Sequence, residues 1–82
     1  MPDVKPELRR YIEDNFIMGR QVVLADSDSF LERRLLDSTG FLELIGHLEE
    51  TYGIKVEDDE MIPENLDSLD SVARFVAAKR GA

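Results

Sequence analysis

The chain has no cysteine. That excludes disulfides, thiolate nucleophiles and zinc–thiolate centres built from its own side chains. It has one histidine, His47. No serine or acid stands at a spacing that defines a triad with it, so His47 reads as a lone surface residue. Apolar runs are only a few residues long, far short of the roughly 20 that a helix needs to cross a bilayer. The opening MPDVKPELRR lacks the apolar stretch of a secretory leader, and the expected localisation is cytoplasmic. Bases are scarcest where acids are densest. Residues 37–70 carry eleven carboxylates against one base, Lys55. The first 36 residues are nearly balanced, and from Ser71 onward every charged residue is a base.

The formal net charge is −8. Such a field repels nucleic acid and anionic membrane and draws in basic protein surfaces. It also keeps a small domain soluble. The 82 residues suit a single domain, 1–82. A chain this short buries only about 60–65% of its unfolded surface, which leaves little volume for a substrate cavity beside the core. An enzyme is therefore the least favoured class.

Helical periodicity dominates the remainder. Val4, Leu8, Tyr11 with Ile12, and Phe16 recur at three- and four-residue steps, predicting a helix over roughly 3–18. Asp3 is its expected N-cap, Pro6 suits a first turn and Gly19 its stop. Residues 19–36 have no clean period, yet contain Val22, Val23, Leu24, Phe30, Leu31, Leu35 and Leu36. They read as a long ordered loop pinned to the core by those side chains. A second helix is expected over roughly 38–52, with Phe41, Leu44, Ile45, Leu48 and Tyr52 inward, Asp37 or Ser38 as cap and Gly53 as stop. IKV comes next as an extended stretch. EDDEMI, residues 57–62, suits a short helical turn ended by Pro63. A last helix over roughly 67–79 turns Leu69, Val72, Phe75 and Val76 inward, capped by Asp67 or Ser68. The expectation is an all-α bundle of three main helices plus one short helix, with a long first loop. Ile54 and Ile62 are expected in its core, and Met61 in the core or on the surface.

Asp-Ser occurs five times, at 26–27, 28–29, 37–38, 67–68 and 70–71. Both side chains accept hydrogen bonds from free N–H groups in a first helical turn, so a cap explains Asp67-Ser68. Ser71 falls inside that helix and reads as surface. Turn chemistry explains the two loop pairs. A calcium loop in DSDSF would need an acid at Phe30 and a glycine at Leu31, which excludes it.

Asp37-Ser38 stands where the apolar loop meets the most acidic helix. Around it, SFLERRLLDS (29–38) and FLELIGHLEETYGIKV (41–56) together resemble the acyl carrier proteins. Ser-Phe and a glutamate precede the serine at that family's spacing. A double glutamate and an aromatic-Gly-Ile ending close the second helix, and ENLDSLDSVARFV is similar to the family's last helix. The likeness covers most of the chain and is weakest over 1–22. Threonine stands at Thr39 where leucine is commonest, and RRLLDS replaces the usual acidic-Leu-Gly approach. The LLDSTG form looks like carriers loaded by a separate adenylating ligase, including D-alanyl carriers. LDSL at 66–69 copies the usual motif more closely, but the helix it opens is short and carries bases in place of the glutamates.

The resemblance implies an acyl-carrier-like fold and a non-enzymatic role. Ser38 would bear a covalent 4′-phosphopantetheine arm taken from coenzyme A, holding acyl or aminoacyl cargo as a thioester. Asp37 would help the transferase bind metal and recognise the serine, and small Thr39 and Gly40 would let it approach. A serine at a helix N-terminus suits this, because free N–H groups and the helix dipole favour a phosphate by about 0.3–1 kcal/mol. Glu43, Glu49, Glu50, Asp58, Asp59 and Glu60 would form the docking surface. The implied partners are a phosphopantetheinyl transferase, an adenylating ligase or acyltransferase, and a downstream synthase of fatty-acid or secondary-metabolite biosynthesis. No nucleic acid or membrane is implied, and a monomer is expected. The alternative is an arm-less acidic interaction module of the same fold, in which the acidic helix binds a basic partner and Ser38 is only a cap.

Overall fold

The computed structural model of the chain describes residues 4–17 and 23–81. Among the described residues there are helices and turns and no strand. Helix α1 spans Lys5–Ile12 and continues as a π turn over Glu13–Ile17. Pro6 sits in its first turn, where a missing N–H leaves no intrahelical bond unmade. Asp3 and Gly19, the expected ends, lie outside the described residues, as does Val22. Leu8, Ile12 and Ile17 are buried, and α1 packs against the last helix.

Helix α2 spans Ser38–Tyr52. It ends at Gly53, whose φ of 66° is left-handed and whose N–H donates to the Glu49 carbonyl at 3.0 Å. A side chain there would strain the backbone, which explains glycine at this stop. Residues 53–57 run without helical bonds and bury Ile54 and Val56. Here the expected single turn divides in two. A 3-10 turn covers Asp58–Glu60, closed by reciprocal bonds between Glu57 and Glu60. Pro63 then begins helix α3, Pro63–Leu66, rather than ending a turn. The reason is that proline lacks only the N–H that a first helical turn leaves unbonded. Helix α4 spans Leu69–Lys79 with Ser68 as its cap.

The loop before α2 is ordered by its apolar side chains, as its composition implied. Leu24, Phe30, Leu35 and Leu36 are buried, and Phe30 has no exposed surface at all. Val23 and Leu31 behave differently, since both point outward. Polar bonds supply the other ties. Arg9 donates to the Leu24 carbonyl and pairs with Asp26, Lys5 pairs with Asp70 at 2.8 Å, and the Asp70 N–H donates to the Asp26 carbonyl at 3.0 Å. The loop thus closes over α1 and α4 and delivers the chain to the start of α2. None of the described helices is long and apolar enough to cross a membrane.

Candidate functional site

Asp37 fixes the start of α2. Its backbone is extended, at φ −100° and ψ −170°, and its Oδ1 accepts the Gly40 N–H at 2.7 Å. Its carbonyl accepts the Phe41 N–H at 2.9 Å. A cap of this kind is worth about 1 kcal/mol. It places Ser38 at the first helical position, exposed, with no hydrogen bond to its hydroxyl among the described residues. Thr39 beside it is exposed too.

Gly40 has a different role from the one its size suggested. It is buried rather than turned toward a visiting protein. A Cβ there would meet Leu36 Cδ2 at 2.8 Å and Phe16 Cε1 at 3.2 Å. Glycine is needed because the loop and the end of the first helix press against this turn.

Ser38 lies on the rim of an apolar groove of about 240 Å³. Besides Ser38 it is lined by Phe41, Leu42 and Ile45 of α2, Leu31 of the loop, Met61 and Ile62 just before α3, and Pro63 and Leu66 within it. An engineered apolar cavity of about 150 Å³ accepts benzene, so this groove has room for a small alkyl or aromatic group. Four of its large hydrophobic side chains are exposed, Leu42 most of all at 63%. Exposed apolar side chains gathered in one place mark binding surfaces, where scattered ones do not. Ile62, expected in the core, belongs to this groove at 41% exposure, and so does Met61.

The acidic residues divide into two kinds. Glu43, Glu50, Asp58 and Asp59 are exposed and have no basic partner among the described residues. Glu49 is half-buried, and its Oε2 accepts the Val56 N–H at 2.9 Å, tying α2 to the segment beyond it. Glu60 accepts from Lys79 Nζ at 2.9 Å and from the Glu57 N–H at 2.9 Å. The Lys79 bond, and after it the Glu57 N–H, holds its carboxyl below the usual range. Glu49 and Glu60 therefore also hold the fold together.

The other Asp-Ser pairs are separated by what their hydroxyls do. Ser68 is buried, accepts the Ser71 N–H at 3.1 Å and donates to Ser71 Oγ at 3.0 Å. Ser71 is half-buried by the same contact. Ser29 donates to the Asp67 carboxylate, so Asp67 binds the loop while Ser68 alone caps α4. Ser27 is exposed with no hydroxyl partner among the described residues, but stands in a turn away from the groove. Ser38 alone combines a free hydroxyl, a helix start and an apolar groove.

His47 is not the isolated surface residue its singularity suggested. Its ring stacks on Tyr11, centroids 3.8 Å apart, and meets Tyr52 edge-on at 6.3 Å. Its Nδ1 lies 3.2 Å from Thr51 Oγ1. Tyr52 donates to Glu7 at 3.1 Å, and Arg80 lies over the Tyr52 ring. Burial lowers the His47 pKa, against the pull of Glu50 and Glu7. The cluster joins α1, α2 and the end of α4. Its sequence signal was present, since Tyr11 and Tyr52 both fall on inward stripes. The groove had a weaker one, an apolar Leu42 one turn beyond Ser38 and off the core stripe.

No protein-family model matches this chain, and no curated protein matches it by sequence.

Proposed function

We propose that the chain is a carrier protein of the acyl-carrier type, bearing 4′-phosphopantetheine on Ser38. The observation that carries the proposal is the joint placement of Ser38: a free, exposed hydroxyl at the start of a capped helix, on the rim of an apolar groove. The likeness of residues 29–56 to that family supports it. So does the commitment of Ser68, the serine of the closer textual match, to bonds inside the fold.

The residues fit the group. The Ser38 oxygen is the nucleophile toward coenzyme A, and adenosine bisphosphate leaves as the phosphodiester forms. The N–H groups of Ser38 and Thr39 have no acceptor within the helix, and with the helix dipole they favour the phosphate charge. Asp37 holds the turn rigid through Gly40 and stands beside the serine for the transferase's metal. The arm supplies the thiol that the cysteine-free chain lacks. Glu43, Glu50, Asp58 and Asp59 give basic partner enzymes a docking surface that speeds encounter more than it deepens affinity. The exposed side chains of the groove give an apolar contact beside the arm.

Intact mass before and after incubation with coenzyme A, magnesium and a broad-specificity phosphopantetheinyl transferase tests this, with peptide mapping to place the group. One phosphopantetheine on Ser38 is expected. Ser38→Ala should fold and not load, and Ser68→Ala should still load. Loading of Ser38→Ala, or none of the folded wild type across several transferases, sinks the carrier reading and leaves an acidic interaction module.

A further inference from the structure

We propose that Asp67 is a latch that sets the width of the apolar groove beside Ser38. Asp67 closes α3, where its N–H donates to the Pro63 carbonyl at 3.0 Å. From there it reaches three successive loop residues. Its Oδ2 accepts the Ser29 hydroxyl, its carbonyl accepts the Phe30 N–H at 2.8 Å, and its Oδ1 accepts the Leu31 N–H at 3.0 Å. Ser29 Oγ in turn accepts the Glu32 N–H at 3.1 Å, which starts the turn over 31–34. One residue thus joins two of the segments that line the groove, the loop at Leu31 and the end of α3.

Leu31 is 49% exposed, so burial does little to hold it; its carbonyl accepts the Arg34 N–H at 3.1 Å within the loop, and its own N–H bond to Asp67 is its tie to the end of α3. Phe30, fully buried next to it, accepts the Leu35 N–H at its carbonyl at 2.9 Å and so anchors the base of the turn over 30–34. The Arg33 side chain pairs with Asp28 and donates to the Val23 carbonyl; these ties stay within the loop and do not fix it to α3. Removing the Asp67 carboxylate takes away the bonds to Ser29 and Leu31 and leaves the backbone bond from Phe30. Asp67 is therefore a positioning residue for the groove. Its bearing on cargo, the size of apolar group admitted beside the arm, rests on the carrier reading; the latch itself does not.

Methyl NMR of the unmodified full chain, titrated with n-octanol, tests the latch without the arm. In the wild type the Leu31, Leu42 and Ile62 methyls should shift saturably. Asp67→Ala should weaken octanol binding at least several-fold and speed exchange of the Leu31 amide about tenfold or more. The Val56 amide, held by Glu49, should be unchanged. Asp67→Asn keeps an acceptor for the Leu31 N–H and should recover most of both. A merely structural Asp67 would lower the melting temperature and leave octanol affinity in the folded protein as it was. Should Asp67→Ala not fold, Ser29→Ala gives the same reading through the loop side of the bond. Wild-type protein without saturable shifts, or a folded variant with unchanged Leu31 exchange and octanol affinity, overturns the proposal. Saturable octanol binding with no loading at Ser38 leaves the latch standing and removes the carrier.

Discussion

Alanine at two glycines of α2 should change stability in opposite directions. At Gly40 the added Cβ would lie 2.8 Å from Leu36 Cδ2, 3.2 Å from Phe16 Cε1 and 3.4 Å from Asp37 Oδ1. Leu36 is only 4% exposed, so its methyl group must shift within the packed core and take its neighbours with it. Overpacking of this kind costs about 1–3 kcal/mol. The gain in helix propensity from glycine to alanine is at most about 1 kcal/mol. The clash wins, and Gly40→Ala loses about 1 kcal/mol net. At Gly46 the same Cβ meets nothing within 4 Å, so only the propensity gain of about 0.5–1 kcal/mol remains. In a domain this size 1 kcal/mol moves the melting temperature by about 4–8 °C. The two variants should therefore melt on opposite sides of the wild type, separated by on the order of 10 °C. Thermal and urea unfolding tracked by circular dichroism measure this, with an unchanged urea slope confirming that stability and not compactness has moved. Gly40→Ala melting at or above the wild type would refute the close packing of this turn. Leu36 immediately precedes Asp37, so Gly40→Ala should also slow loading at Ser38, whereas Gly46→Ala should not.

The charged and titrating groups give three further expected outcomes. His47 resists protonation in the fold because burial lowers its pKa from 6.5. The unfolded chain takes up the proton first, so stability should fall as pH drops below about 6.5. Urea midpoints of His47→Gln should lack that fall, and a variant with the full wild-type slope would exclude His47 as its source. Tyr52 is raised from 10.0 to about 12, first by burial and then by its bond to Glu7. Its contribution is fully present below pH 10 and is lost as pH rises toward 12. Burial also raises Tyr11, the other tyrosine, so phenolate absorbance should show a late transition whose last part Tyr52→Phe removes, and a wild-type curve complete near pH 10 would contradict the contact. Glu43→Gln and Asp58→Asn should slow loading by a transferase at low salt and lose that effect at high salt. Glu60→Gln should leave the loading rate unchanged, because its charge is already met by Lys79.

The fold was legible wherever one physical signal was strong. The stripe of Leu44, Ile45 and Leu48, the cap at Asp37 and the stop at Gly53 fixed α2 to the residue. Leu69, Val72, Phe75 and Val76 placed α4, which begins two residues later than the expected 67 and ends where expected. EDDEMIPENL was harder, because a proline reads as a stop from one side and a start from the other, and only the exposure of Ile62 marks the break between two short turns. At the site, Asp37 and Ser38 were legible from context, and the groove was not. It is assembled from Leu31, Leu42 and Ile62, three residues far apart in sequence whose common feature is that none is buried. Periodicity finds side chains that point inward. Of the apolar ones that gather outside, it marks only Leu42, by its place off the core stripe.

The five Asp-Ser pairs show why local text alone does not assign a site. Asp37-Ser38 and Asp67-Ser68 both stand at helix starts, and either serine or aspartate can cap a first turn. In the first pair Asp37 caps, and Ser38 is left outside with a free hydroxyl. In the second Ser68 caps, is buried by the packing of α4, and frees Asp67 to bind the loop. The division is set by the groups that lie opposite each pair. Asp67 faces the Ser29 hydroxyl and the Leu31 N–H, two donors that need an acceptor with two oxygens. Asp37 faces only the Gly40 N–H of its own helix. The same dipeptide thus yields an exposed hydroxyl on the groove's rim and a carboxylate that joins two of the segments lining the groove.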